Sequence, residues 1–162
     1  MIERILIEGP DCSGKSTALD RIKNALRWDA KSLHHREGDQ FQRYIGEYCS
    51  AEKIVFDRGH ISELVYGQMW RGGNPFTKKE QTTLDFYLER KGLVIFALPS
   101  EEVLIERYRK RNFQQQIKES ELAQARNLFL EYSKKIPHIL YTSSSIQELN
   151  ELVDEVQKRT HD

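Results

Sequence analysis

The chain has 162 residues, enough for one domain that buries roughly 70% of its unfolded surface. Its 25 Lys and Arg residues balance 25 Asp and Glu, so no overall field draws it onto nucleic acid or an anionic membrane. Its two cysteines, Cys12 and Cys49, give no disulfide or zinc framework, which points to a reducing compartment.

The first element is the apolar run "RILIE", read as a buried strand. Charges interrupt the run "MIERILIEG", so it does not read as a secretory signal, and no stretch approaches the ~20 apolar residues of a membrane span. The expectation is a cytoplasmic protein that does not engage membranes. "IEGPDCSGKST" follows, and a helix is predicted from about Lys15 to Trp28. Gly9, Gly14, Lys15 and Ser16 fit G-x-x-x-x-G-K-[ST], in which backbone N–H groups wrap the phosphates of a nucleotide. Gly9, Pro10, Asp11, Cys12, Ser13, Gly14, Lys15, Ser16 and Thr17 are the candidate nucleotide-binding residues. The glycines permit close backbone approach, and the helix start offers free N–H groups and a positive dipole end. Lys15 would reach the β and γ phosphates of ATP, and Ser16 would hold Mg²⁺. A plain structural turn would explain neither. The same amides are expected to favour a thiolate at Cys12.

Further along, "KSLHH" reads as a weak second strand and "KIVFD" as a third. Asp57 ends that third strand, where an acid can order the water shell of the metal. Arg58 beside it can grip a second phosphate bidentately. Thr77 with Glu80 and Ser145 with Glu148 form capping boxes. "LVIFAL" is the fourth strand and "HILYT" the fifth. A helix opening after Ser100 would place Arg107, Lys110 and Arg111 on one face and Arg109 elsewhere. That face is either a solvated basic surface or a lid, spanning about 107–118, that closes over the γ-phosphate. Leu122, Ala125, Leu128, Phe129 and Tyr132 mark one later helix, and Ile146, Leu149, Leu152, Val153 and Val156 another. Strand–helix alternation predicts an α/β fold with a parallel sheet covered on both faces and a ligand beyond the strands' carboxyl ends. The five histidines show no metal spacing. His60 is expected to be structural, and Phe76, Phe86 and Tyr87 are candidates for a base-stacking ring.

Two motifs together resemble the thymidylate kinase branch of the P-loop nucleoside and nucleotide kinases. Gly9, Asp11, Gly14, Lys15 and Ser16 match its G-x-[DE]-x-x-G-K-[ST] loop. Asp57, Arg58, Ser62, Tyr66 and Arg71 match its D-R-x-x-x-S-x-x-x-Y segment and later arginine. "LVIFALPSEEVLIERYRKR" and "ILYTSSSIQELNELVDEV" look like the family's fourth strand with lid and its closing strand and helix. The resemblance implies a single P-loop NTPase domain over 1–162, nucleoside monophosphate kinase-like, with a five-stranded parallel sheet of order 2-3-1-4-5. It implies ATP and Mg²⁺ as cofactors, with Ser16 and Asp57 on the metal. Asp11 would meet the acceptor sugar, Arg58 and Arg36 its phosphate, Tyr66 its pocket and Arg71 its base. Lys15, Arg58, Asp57, Arg107 and Arg111 are the implied catalytic set. Cys12 stands where some members carry a basic residue, which moves that charge to the lid. Gly38 replaces a proline of the family's R-E-P-G stretch.

The expected activity is phosphoryl transfer from ATP to a pyrimidine deoxynucleotide, a dTMP-type monophosphate first. "GNPFTKKEQTTLDF" departs from the family's base-binding segment, so three other acceptors stay open: a deoxynucleoside, with Glu37 as base, a modified pyrimidine nucleotide, or a pyrimidine hydroxyl in DNA. A homodimer also stays open. A different class, a non-catalytic ATP-binding regulator, would have no need of lid arginines.

Overall fold

A computed structural model describes residues 1–50, 53–111 and 117–161. Five strands form one sheet of order β2-β3-β1-β4-β5: β1 (Arg4–Glu8), β2 (Asp29–Ser32), β3 (Ile54–Asp57), β4 (Gly92–Ala97) and β5 (Ile139–Tyr141). Every pairing is parallel, as the strand–helix alternation predicted. Among the described residues the helices are α1 (Lys15–Leu26), α2 (Gln40–Cys49), α3 (His60–Trp70), α4 (Lys78–Lys91), α5 (Glu101–Lys110), α6 (Leu122–Ser133) and α7 (Ile146–His161), with a 3-10 turn at Glu119–Glu121.

The period of two along the central strands sorts the helices into layers. Ile5 and Ile7 of β1 point to one face, where Val55, Leu93 and Ile95 join Ala18 and Ile22 of α1 and Leu149, Leu152 and Val153 of α7. Leu6 points to the other, where Phe56, Val94 and Phe96 meet Tyr44 and Tyr48 of α2, Leu64 of α3, Leu84 of α4, Leu104 of α5 and Phe129 of α6. Both faces are covered, so the central strands are apolar at nearly every position. Fully burying each such side chain contributes ~1.5–3 kcal/mol.

Three local features differ from expectation. The second strand lies at Asp29–Ser32 rather than 31–35, and all four of its residues are exposed. It is an edge strand held by backbone pairing, so it carries no apolar pattern. The apolar residue that suggested it, Leu33, follows the strand and donates its N–H to Asp57 O at 2.9 Å. The first helix stops at Leu26 because Arg27 turns left-handed (φ 57) before the chain enters β2. The Thr77–Glu80 capping box forms in full, whereas Glu148 reaches past Ser145 to Thr142 and Ser144. The expected lid falls partly on 112–116, which lie outside the described residues.

Candidate active site

The carboxyl ends of β1, β3, β4 and β5 converge on the glycine loop, which lines two clefts, and a third opens beyond Arg71 and Glu63. Gly9 (φ 149) leaves β1 so close to β4 that a Cβ there would lie 2.3 Å from Ala97 O. Gly14 (φ 90) precedes α1, and a Cβ on it would lie 2.4 Å from Ser143 Oγ. The backbone contact excludes any side chain at Gly9, and the left-handed backbone disfavours one at Gly14. Gly14 offers no side-chain cap, so the first N–H groups of α1 face the loop's hollow.

The central cleft, about 230 Å³, is lined by the loop from Asp11 to Thr17 together with His34, Asp57, Arg58 and Arg111. Lys15 is buried, and its Nζ donates to Pro10 O at 2.6 Å and Ser13 Oγ at 3.4 Å. Burial draws its pKa down to about 7, and the charge of Arg58 adds to this against Asp11, Asp57 and Glu8. Arg58 is left-handed (φ 70), its N–H donates to Ile7 O at 3.0 Å, and its guanidinium bonds to Asp11. That guanidinium also lies 5.3 Å from the Tyr66 ring centroid. Asp57 accepts from Ser32 Oγ at 2.8 Å through Oδ2. Its Oδ1, with Arg58 Nη1 and Tyr66 Oη, is buried without a hydrogen-bond partner among the described residues. Ser16 and Thr17 are exposed at the start of α1.

A second cleft, about 540 Å³, runs from Cys12, Gly14 and Thr17 to Arg107, Lys110, Arg111 and the turn Ser143–Ile146. Arg107 crosses it. One nitrogen donates to Cys12 O at 3.2 Å, and the other donates to Ser143 O at 2.7 Å and Ser143 Oγ at 3.0 Å. Glu148 shapes the turn by accepting from Thr142 N (2.6 Å) and Oγ1 (2.9 Å) and from Ser144 N (2.7 Å) and Oγ (2.8 Å). Partial burial pushes the Glu148 pKa up, but these donors hold it below the ordinary carboxylate value. Arg111 leaves helical geometry (φ −79, ψ 130), so it does not continue the helical face of Arg107, although both line this cleft. Arg109 points away and pairs with Glu119.

A third cleft, about 340 Å³, is lined by His35, Glu37, Gly38, Gln40, Glu63, Arg71 and the Gly72–Pro75 segment, among others. Its hub is Glu63, which is 2% exposed. Glu63 accepts from Tyr44 OH at 3.2 Å through Oε1, and its Oε2 meets His35 Nδ1 and Arg71 Nη2, each at 2.9 Å. Sequence reasoning missed Glu63. The signal was an acid inside a helix whose other early positions, "HIS" and "LVY", are all buried.

The remaining candidates sort plainly. Arg36 is exposed on the β2–α2 loop and lines none of these three clefts. His60 is fully buried between Tyr48 OH (3.0 Å) and Asp85 (2.8 Å). Phe76 packs in the core against Tyr44 and His60, whereas Phe86 and Tyr87 stand exposed on α4. The Cys12 thiol does not favour ionisation. Burial raises its pKa, and Arg111, Lys15 and Arg107 offset only part of that.

The donor set suits a magnesium ion carried by phosphates. Such an ion needs one or two protein oxygens, and the buried, unpartnered Asp57 Oδ1 and the exposed Ser16 hydroxyl supply that number. Among the described residues no group of three or more His, Cys, Asp or Glu is arranged to hold a metal by itself. Among them, too, no helix is long and apolar enough to cross a membrane.

No family model matches the chain. It is 24% identical over 116 residues to the SPbeta prophage-derived uncharacterized protein YorR of Bacillus subtilis, covering 66% of this chain and 68% of that one. The solved structure of Bacillus subtilis YorR, in complex with phosphorylated GDP, superimposes with a TM-score of 0.81 at 19% identity over 98% of both chains. Deoxyadenosine kinase from M. mycoides gives 0.68 at 18% identity, over 96% of this chain and 99% of that one. Shikimate kinase from Acinetobacter baumannii gives 0.64 at 12%, over 99% and 93%. The chain has the fold of the P-loop NTPase kinases. Kinases of nucleosides and of quite different small molecules share that fold, so the acceptor has to be argued from the clefts.

Proposed function

We propose that this chain is a phosphotransferase that moves the γ-phosphoryl group of ATP to a pyrimidine deoxynucleotide, a dTMP-type monophosphate first. The observation that carries this reading is the buried guanidinium of Arg58 beside the glycine loop, which stands against the Tyr66 hydroxyl and whose Nη1 meets no acceptor in good geometry. A buried guanidinium nitrogen left without an acceptor is costly, and a phosphate oxygen would satisfy it. The neighbouring structures hold nucleotides, phosphorylated GDP in YorR and the products dCMP and dCDP in deoxyadenosine kinase, which supports a substrate of the nucleoside or nucleotide class.

In this reading ATP lies along the second cleft, with its base beside the Ser143–Ile146 turn and its phosphates in the loop from Gly9 to Thr17. Lys15 leaves Pro10 O for the phosphates and regains its charge there. Ser16 and Asp57 would hold a Mg²⁺, whose charge would offset that of the terminal phosphates. Arg107 and Arg111 stabilise the transferring group from the opposite side. Asp11 orients Arg58 and keeps its other oxygen for the acceptor sugar, and Arg71 meets the base. A nucleoside acceptor is the second reading, because Glu37 lines the third cleft whereas Arg36 does not. Glu37 would then take the proton of the attacking hydroxyl.

The test is acceptor-dependent ADP formation from ATP and Mg²⁺ across nucleosides, nucleoside monophosphates and oligonucleotides containing modified pyrimidines. Turnover with dTMP supports the first reading. Turnover with thymidine alone transfers the assignment to the second. ATP binding with no acceptor-dependent turnover marks a regulator instead.

A further inference from the structure

Glu8 is the last residue of β1, directly before Gly9, and is fully buried. It lines none of the three clefts described above. Its side chain turns toward α3. Oε2 accepts from Ser62 Oγ at 2.5 Å, and Oε1 accepts from Ser62 N at 3.4 Å. Helix α3 needs such a partner, because its N-cap is Gly59, which has no side-chain oxygen to offer. The fit is tight: a Cβ on Gly59 would lie 2.4 Å from Leu6 Cδ2, 2.7 Å from Tyr48 Oη and 3.0 Å from Glu8 Oε1. Gly59 is therefore the residue that lets α3 approach β1 closely enough for Glu8 to cap it.

Between β3 and this cap stands Arg58. Its backbone N–H is held by Ile7 O and its guanidinium by Asp11. Three consecutive stations of one strand and its loop, Ile7, Glu8 and Asp11, thus hold the five-residue turn from Arg58 to Ser62. Gly9 lies between the second and third. Ile7 and Asp11 hold Arg58 itself, and the Glu8–Ser62 pair fixes where α3 starts after it, so that a shift of α3 does not pull Arg58 from its place beside the glycine loop.

We infer that Glu8 is a positioning residue that, through Ser62, sets the distance between the phosphate-loop side of the reaction and the arginine that receives the acceptor. This rests on the acceptor-side reading of Arg58 proposed above. A plain helix cap would contribute stability alone, whereas a tie also controls where Arg58 stands.

The experiment compares Glu8→Ala, Ser62→Ala and Glu8→Gln. Glutamine keeps both bonds, with its amide N–H donating to Ser62 Oγ and its carbonyl accepting from Ser62 N. Two readouts are taken on folded protein: acceptor KM beside ATP affinity, and the emission of Trp70 in a Trp28→Phe background. Trp70 stacks on Tyr66 with ring centroids 4.7 Å apart, and Tyr66 lies under Arg58, so its emission reports on the turn without requiring turnover. The expected result is an acceptor KM raised about tenfold or more in Glu8→Ala and Ser62→Ala, with ATP affinity within about twofold and Trp70 emission shifted. Glu8→Gln should restore both readouts. Variants that lose only thermal stability, with acceptor KM and emission like wild type, would overturn the tie and leave a helix cap. Failure of Glu8→Gln to restore the readouts would do the same. Absence of transfer in the wild type sinks the acceptor reading, and the emission then decides the tie alone.

Discussion

The two clefts that flank the glycine loop are built from different chemistry. On the Arg107 side the fixed points are neutral: the Cys12 and Ser143 carbonyls, the serine hydroxyls and a turn whose shape is set by one carboxylate. On the other side they are ionic: Asp11 with Arg58 in the central cleft, and Glu63 with Arg71 in the third. A frame in which Arg107 is held only by neutral groups can rearrange to admit a long ligand, losing only a few hydrogen bonds. A frame of partly buried ion pairs resists rearrangement, since removing one partner strands the other. The first suits a nucleotide gripped mainly by backbone amides. The second suits a small anion that must stand at a fixed place.

In the proposed reaction Lys15 belongs to both sides, because it would hold the phosphoryl group between ATP and the acceptor. Lys15→Ala should therefore produce the largest loss, at least ~10² in kcat, since removing one preorganised charge typically costs a few kcal/mol of transition-state stabilisation. Circular dichroism should match wild type. Near-normal turnover would remove the phosphate-loop reading and leave the comparison of the two sides without a reaction.

Arg107→Ala tests the neutral side. The structure sharpens the expectation, because Arg107 also braces Cys12 against Ser143. If it acts on the transition state, kcat and kcat/KM should both fall ~10² while ATP affinity shifts less than about tenfold. A titration of bound nucleotide beside a turnover assay separates the cases. A loss of ATP affinity that accounts for the whole effect makes Arg107 a strut, and the stabilising charge then falls to Arg111.

Arg58→Ala tests the ionic side. A hydrogen bond to a charged group is worth ~1.5–3 kcal/mol, or about 10- to 100-fold, and should be lost from the acceptor KM. ATP KM should hardly move. Equal losses for both substrates would erase the distinction between the two sides.

These two sides were not equally legible in the sequence. The glycine loop was readable because each of its residues answers a local demand: φ > 0 at Gly9 and Gly14, and a lysine and a hydroxyl at a helix start. The central strands were readable because burial on both faces makes them apolar throughout. The strand order 2-3-1-4-5 came from the family resemblance, and the sheet has that order. The edge strand was displaced because backbone pairing at an edge leaves no side-chain pattern. On the ionic side, Arg58 and Arg71 could be named from their motif, but Glu63 and Glu8 could not. Their partners lie 19 and 54 residues away, at Tyr44 and Ser62, and no local periodicity encodes such a meeting. Arg36 shows the converse: a motif position named it, and the fold leaves it exposed outside the three clefts.

The smallest expected effect concerns Glu8, which stands where the two sides join. Burial raises its pKa above the ordinary glutamate value, and the Ser62 hydroxyl and the charges of His60 and Arg58 offset only part of that. The folded protein therefore holds the proton to a higher pH than the unfolded chain does. Below the unfolded value, near 4.5, both states are protonated and Glu8 costs nothing. As pH rises from there through the folded value, the unfolded chain ionises first and stability falls. Glu8→Gln removes that slope while keeping both bonds to Ser62. Its melting temperature at pH 7 should exceed that of wild type by about 2–4 °C if the buried charge costs ~1 kcal/mol in a domain of this size. The difference should shrink as pH falls toward 4.5. Thermal melts of both proteins from pH 4.5 to 8 decide it. A constant offset at every pH would mean that Glu8 keeps an ordinary pKa. A lower melting temperature for Glu8→Gln at pH 7 would mean that its carboxylate charge stabilises the junction, as the ion pairs of the Glu63 side do.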